Sequence, residues 1–291
     1  MKVVISLLIH EQEEVVFDQI RNFEHYVPEV QILLHIAGQW RRRSPAIVDR
    51  FNAESRVMVN PESVETAWAD GSQAEAHISN IRFIIDSGIE VDGCLFHASN
   101  DLYVRTGVLE YLKGRDAACG QKDILNDPDW SPHVKKDRAF QFLAAKLGVT
   151  PVWSEIEGSY YSIRVLKELV NVLDDYPTII LEKILRRLPA SLRLRGKFRN
   201  TFKGVFYPRE ETLFPTLASP FIEKRVEPIC LRKLDASIPV ATADVESMRK
   251  GQFDSTLNVP RKFFVLKRIN RSINDSVRSY IRNSIESKIR S

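Results

Sequence analysis

The sequence predicts an α/β fold, a Rossmann-like central sheet flanked by helices, followed by a basic amphipathic helix at the C-terminus. Three observations predict it. Residues 3–9 form a run of strand length that is apolar but for Ser6; Val15, Phe17, Ile20 and Phe23 then recur at helical spacing; and residues 30–35 read as a second strand. Strand, helix and strand within about 35 residues open a right-handed βαβ unit, the building block of a largely parallel sheet. The first turn holds no GxGxxG, which argues against a dinucleotide-wrapping dehydrogenase.

The remaining elements follow in order. Residues 56–59 read as a short strand, and residues 71–87 as a helix through Ala74, Ile78, Ile81 and Ile85. Residues 93–97 read as a strand ending in the polar turn His97-Ala98-Ser99-Asn100-Asp101, and residues 109–112 as a helix. Ligands of α/β sheets sit beyond the carboxyl ends of strands, so this turn is a place to look for chemistry. Residues 114–133, with Asp127-Pro128 and Ser131-Pro132, are expected to form one long loop. Helices are expected over 162–174 and 178–187, and beyond Pro220 the chain reads as strand-like and irregular. In the tail Ile269, Ile273, Val277, Ile281, Ile285 and Ile289 recur every four residues, with Arg268, Arg271, Arg278, Arg282, Lys288 and Arg290 largely off that row. The expected organisation is one domain over 1–264 and a helix over 265–291.

With 44% hydrophobic residues in 291, the chain can bury a proper core, so disorder and fibrous architectures are excluded. No apolar run approaches the roughly 20 residues of a membrane span, and the start does not read as a signal peptide. Three widely spaced cysteines, Cys94, Cys119 and Cys230, suit a reducing cytoplasm. The +4 net charge is unevenly placed: residues 261–291 hold nine Lys/Arg against two acids, a net +7, and the rest of the chain is left at −3. Such a helix can pack on its own domain or lie on an anionic inner-membrane leaflet. A second basic cluster, Lys183, Arg186, Arg187, Arg193, Arg195, Lys197 and Arg199, lacks the interleaved aromatics of a base-stacking platform, which disfavours nucleic acid.

Five segments carry a family resemblance. They are residues 4–10 with His35 ending the second strand; Trp68 followed by Ser72-Gln73-Ala74-Glu75-Ala76; residues 95–106; Glu157-Gly158-Ser159-Tyr160-Tyr161 leading to Arg209-Glu210-Glu211-Thr212-Leu213-Phe214-Pro215-Thr216-Leu217; and Pro260-Arg261-Lys262-Phe263. In order and spacing they resemble the core-2/I-branching β-1,6-N-acetylglucosaminyltransferase and peptide O-xylosyltransferase family, in a bacterial cytosolic form. The resemblance implies a GT-A fold, an inverting mechanism, a UDP-sugar donor and no cofactor or metal. His35-Ile36-Ala37-Gly38 stands where a metal-dependent enzyme would carry Asp-x-Asp; it also lacks the aspartate that the family has after this histidine, a departure that bears on the nucleotide.

An inverting transfer needs one base for the acceptor hydroxyl. By the resemblance Glu211 is that base, and Glu210, Asn100 and Tyr160 border the acceptor. His10, His35, Trp68, Asp101, Arg232 and Lys262 border the donor, with Lys262 and Arg232 meeting the charge of the leaving diphosphate. Each also has a plain structural reading. Glu210 and Glu211 suit the first turn of any helix, Asp101 suits a turn cap, Trp68 suits a core, a strand-end histidine such as His10 suits a structural role, and Lys262 suits a solvated surface. The expected partners are a nucleotide sugar and a cell-surface or lipid-linked glycan acceptor. A basic module for an acidic polymer, or an inactive transferase-like scaffold, is the alternative.

Overall fold

A computed structural model describes residues 1–10, 12–67, 69–175, 204, 206–231, 239–251 and 263–290. Its strands are β1 (Val3–Ile9), β2 (Gln31–Ile36), β3 (Val57–Val59), β4 (Gly93–Ala98), β5 (Leu102–Tyr103), β6 (Ala117–Ala118), β7 (Lys122–Asp123), β8 (Val152–Trp153), β9 (Tyr160–Ser162), β10 (Arg225–Val226), β11 (Cys230–Leu231) and β12 (Val265–Leu266). The central sheet runs β10-β6-β9-β4-β1-β2-β3. β1 pairs in parallel with both β2 and β4, so every one of its residues is buried, which is why its sequence is apolar but for Ser6 rather than alternating. β9 lies antiparallel to β4 and β6, and β11-β12-β5 and β7-β8 form two smaller sheets. The α/β class is therefore as expected.

Two helices fix the carboxyl ends of the central strands. Helix Glu13–Tyr26 sends Gln19 Nε2 to the carbonyls of Ala98 and Asp101, at 2.7 and 2.8 Å, and Asn22 bonds both the amide and the carbonyl of Tyr103. Helix Ser72–Asp86 starts after Gly71, whose φ of 76° is in the left-handed region open to glycine. Its inner face carries polar residues that satisfy one another. His77 Nδ1 and Ser6 Oγ lie 2.8 Å apart, and Asn80 donates to Ser6 Oγ at 2.8 Å and accepts from Asn60. Burial lowers the His77 ring to about 3, so it is neutral within this network.

Several expectations change. Residues 114–133 are not one long loop, because Ala117–Ala118 enters the central sheet, Lys122–Asp123 pairs with β8 and Ser131–Val134 is a helical turn. The irregular stretch after Pro220 contains the helix Thr242–Arg249. The tail helix starts only at Ser276, so Ile269 and Ile273 precede it. The expected boundary between 264 and 265 falls at the start of β12, and Val265, Leu266, Ile269, Val277, Ile281 and Ile285 pack in the same core as β1 and β2. Arg278, expected off the apolar row, is fully buried with Nη1 2.7 Å from Asp18 Oδ2. The 178–187 helix and the 183–199 basic cluster lie outside the described residues. No described helix is long and apolar enough to cross a membrane.

Candidate active site

Glu210 and Glu211 open helix Glu210–Ala218, and the preceding turn is anchored from below. Asp137, itself the cap of helix Arg138–Leu147, accepts from Tyr207 Oη at 2.8 Å and pairs with Arg209 Nε at 2.9 Å. The buried Tyr207 and Arg209 thus fix where the two glutamates begin. The helix contains Pro215, which has no N–H to offer the carbonyl four residues back, that of Glu211. Ser154 supplies the missing donor, its amide lying 2.9 Å from the Glu211 carbonyl. Thr216 Oγ1 accepts from the Val152 amide at 2.9 Å, so residues 152–154 run along the helix. That docking brings Trp153 Nε1 to 2.8 Å from Glu211 Oε2.

Lys267, directly after β12, is 8% exposed and reaches Glu157 Oε2 at 2.6 Å and Glu155 Oε2 at 3.9 Å. Burial opposes its charge, but Glu157, Glu155, Glu211 and Asp101 together hold its pKa above the ordinary lysine value. Burial raises Glu157 too, and Lys267 outweighs it, so that carboxyl lies below its usual range. Glu211 goes the other way. Burial lifts it to about 7 against the pull of Lys267, with Glu157 and Glu155 adding to the rise and the Trp153 bond opposing it. Glu210 is 3% exposed, and burial followed by Glu211 pushes it well above the usual carboxylate range. Its Oε2 has no hydrogen-bond partner, which suits a protonated acid with a donor to spare.

Asp101 is fully buried in the turn after β4, where Oδ2 accepts from the Ala98 amide at 3.0 Å and lies 3.2 Å from His97 Nδ1. It caps the turn, and it also belongs to the electrostatic neighbourhood of Lys267 and Glu157. Asn100 is half-buried beside it, its carbonyl accepting from the Ile269 amide, which places the segment after Lys267 over the turn. The structure therefore brings together Glu210, Glu211 and Asp101 and sets Asn100 at their edge.

Of the others, His35 and Tyr160 make structural contacts instead. His35 is buried with Nε2 accepting from the Val64 amide at 2.9 Å, and burial lowers it to about 4, so it is a neutral ring holding the loop after β3. His10 is exposed just beyond β1. Tyr160 points to the opposite end of the sheet, its hydroxyl donating to the Asp92 carbonyl before β4 at 3.2 Å, so its expected acceptor contact is replaced by a structural one. Trp68, Arg232 and Lys262 lie outside the described residues. Sequence reasoning missed Lys267, Glu155 and Trp153. Lys267 had a readable signal, a charge ending the apolar run Phe263-Phe264-Val265-Leu266, with Arg268 after it. Among the described residues no group of three His, Cys, Asp or Glu side chains is arranged to hold a metal.

No protein-family model matches the sequence, and no curated protein matches it. Among solved structures the chain is similar to an active-site mutant of LgtC, over 99% of this chain and 96% of that one, at 11% identity and a TM-score of 0.44. It is similar also to the galactosyltransferase LgtC in complex with donor and acceptor sugar analogues, over the same shares, at 9% identity and a TM-score of 0.42.

Proposed function

We propose that the protein is an inverting, metal-independent glycosyltransferase of GT-A fold that moves a sugar from a nucleotide donor, a UDP-sugar by the sequence resemblance, to a hydroxyl of a glycan acceptor. The observation that carries the reading is Glu211: a carboxyl at a helix start beside the carboxyl ends of the central strands, lifted by burial to about 7 and held by one indole N–H. A base with that value is half ionised near neutrality and still basic enough to take a hydroxyl proton.

In the proposed step the acceptor oxygen forms a bond to the anomeric carbon as Glu211 takes its proton. The bond from that carbon to the diphosphate oxygen breaks on the opposite face, and the nucleoside diphosphate leaves with the electron pair. Glu210, protonated, donates to an acceptor oxygen. Lys267 is committed to Glu155 and Glu157, so it balances the carboxylates, and the leaving charge falls to Arg232 and Lys262. The acceptor is a cell-surface or lipid-linked glycan at the cytoplasmic face of the inner membrane. Among the described residues Arg278 and Arg282 are turned onto Asp18, and the exposed Arg268 is a tail charge that can face an anionic leaflet.

The test is a screen of nucleotide sugars for transfer or hydrolysis by purified protein in EDTA, wild type beside Glu211→Gln. Turnover of one donor that survives EDTA and falls by roughly 10²–10⁴-fold in the variant is expected. Activity needs the ionised base, so its acid limb should rise through about pH 7. Loss of all turnover in EDTA with recovery on adding a divalent ion would remove the metal-independent part. Binding of a nucleotide sugar without turnover would identify a scaffold, and neither binding nor turnover would sink the transferase reading.

A further inference from the structure

We propose that Trp153 is the positioning residue of the Glu211 base, held there because Pro215 frees the Glu211 main-chain carbonyl for the strand that carries the indole. The inference rests on the reading of Glu211 as base. It adds a residue that no family motif marked and a reason for a proline inside the helix.

The geometry has three linked parts. In an uninterrupted helix the amide of residue 215 would donate to the carbonyl of residue 211; proline has no such amide, and its ring tilts that carbonyl outward. The Ser154 amide occupies it at 2.9 Å. The same edge is fastened one turn on, where Thr216 Oγ1 accepts from the Val152 amide at 2.9 Å and donates to the Val152 carbonyl at 3.1 Å. Residue 153 lies between these two attachments, so its side chain is carried to a fixed place beside the first turn. There Nε1 donates to Glu211 Oε2 at 2.8 Å, and Lys122 Nζ lies 5.2 Å from the centre of the ring. Lys122 belongs to β7, the partner of β8, so the indole is set from the helix side and from the ribbon side.

The consequence is directional. Indole N–H is a donor only, so it favours the ionised form of Glu211 and fixes Oε2, leaving Oε1 to take the acceptor proton. Burial raises the base, and the indole keeps the rise from going further. Removing the indole N–H should therefore raise the base's pKa and loosen its direction while leaving donor binding nearly unchanged.

Two measurements test this. The first needs no substrate: the indole ¹H–¹⁵N resonances of the four tryptophans are followed against pH. The Trp153 resonance should move with a midpoint near 7 in the wild type and stay flat in Glu211→Gln. A Trp153 resonance that does not titrate in the wild type overturns the proposal. The second uses the donor found in the screen. In Trp153→Phe the acid limb of kcat should move up by about one pH unit and kcat at pH 7 should fall about fivefold, with KM within about twofold. An unmoved pH profile, or a loss confined to KM, overturns it. If Glu211→Gln keeps full transfer activity the base reading fails, yet the indole titration still decides whether the bond exists, so the two failures are separable.

Discussion

Glu210 and Glu211 are sequence neighbours with different tasks, and burial separates them. Burial and the adjoining Glu211 hold the Glu210 carboxyl well above the usual range, so the folded chain keeps a proton that the unfolded chain releases. Between the two values the native state binds more protons than the unfolded state, and stability therefore falls as pH rises. Glu210→Gln removes that dependence and keeps the side chain's size. Its Tm should exceed that of the wild type at pH 8, and the gap should narrow toward pH 5; calorimetry at the two pH values checks it, and an equal gap at both contradicts it. The residue scale also shows what sequence could and could not give. Glu211 was singled out by the family resemblance alone, since two acids suit the first turn of any helix, whereas its partner Trp153 lies 58 residues away and no periodicity links them. Tyr160 shows the opposite failure. It follows the Gly158-Ser159 pair that suggested a site, but strand alternation turns its ring toward Gly93 and its hydroxyl toward Asp92.

At the scale of elements, the long pieces were readable and the short ones were not. β1, helix Ser72–Asp86 and helix Ile163–Asp174 each present enough residues for an apolar run or a helical period to stand out. Two-residue strands such as Ala117–Ala118 present none; they exist because β9 and β10 lie on either side of them. The loop between β8 and β9 belongs to this class, and it carries Glu155 and Glu157. Gly158 ends it at a φ of +76°, where an added Cβ would meet the Cys230 Cβ at 2.4 Å. Glycine is thus required twice, for the left-handed backbone and for the close approach of β11. Gly158→Ala should lose about 1–3 kcal/mol of stability, read as a lower urea midpoint with an unchanged m-value. The same variant should weaken the Glu157–Lys267 pair, because the loop cannot relax away from Cys230 without moving Glu157.

For the whole molecule the question is what closes the chain on itself, and the C-terminal helix gives the answer. Helix Ser276–Arg290 lies on helix Glu13–Tyr26, with Val277, Ile281 and Ile285 entering the main core. The contact is not purely apolar. Arg278, with no exposed surface, places Nη1 2.7 Å from Asp18 Oδ2, and Arg282 places Nη1 3.1 Å from Asp18 Oδ1. One aspartate from the first helix thus meets two arginines from the last, across 260 residues of sequence. A charge buried this way is tolerated only with its partner, so removing one member should cost far more than removing both. Asp18→Ala leaves the Arg278 guanidinium uncompensated and should cost about 3–5 kcal/mol. Arg278→Met on top of it, filling the same space with an apolar side chain, should restore a large part of that loss. Urea unfolding of the wild type, the two single variants and the double variant closes the cycle. A double variant no more stable than Asp18→Ala would show that Arg278 is held by its packing and its bond to the Asn270 carbonyl, and that the helix docks through its isoleucine row alone.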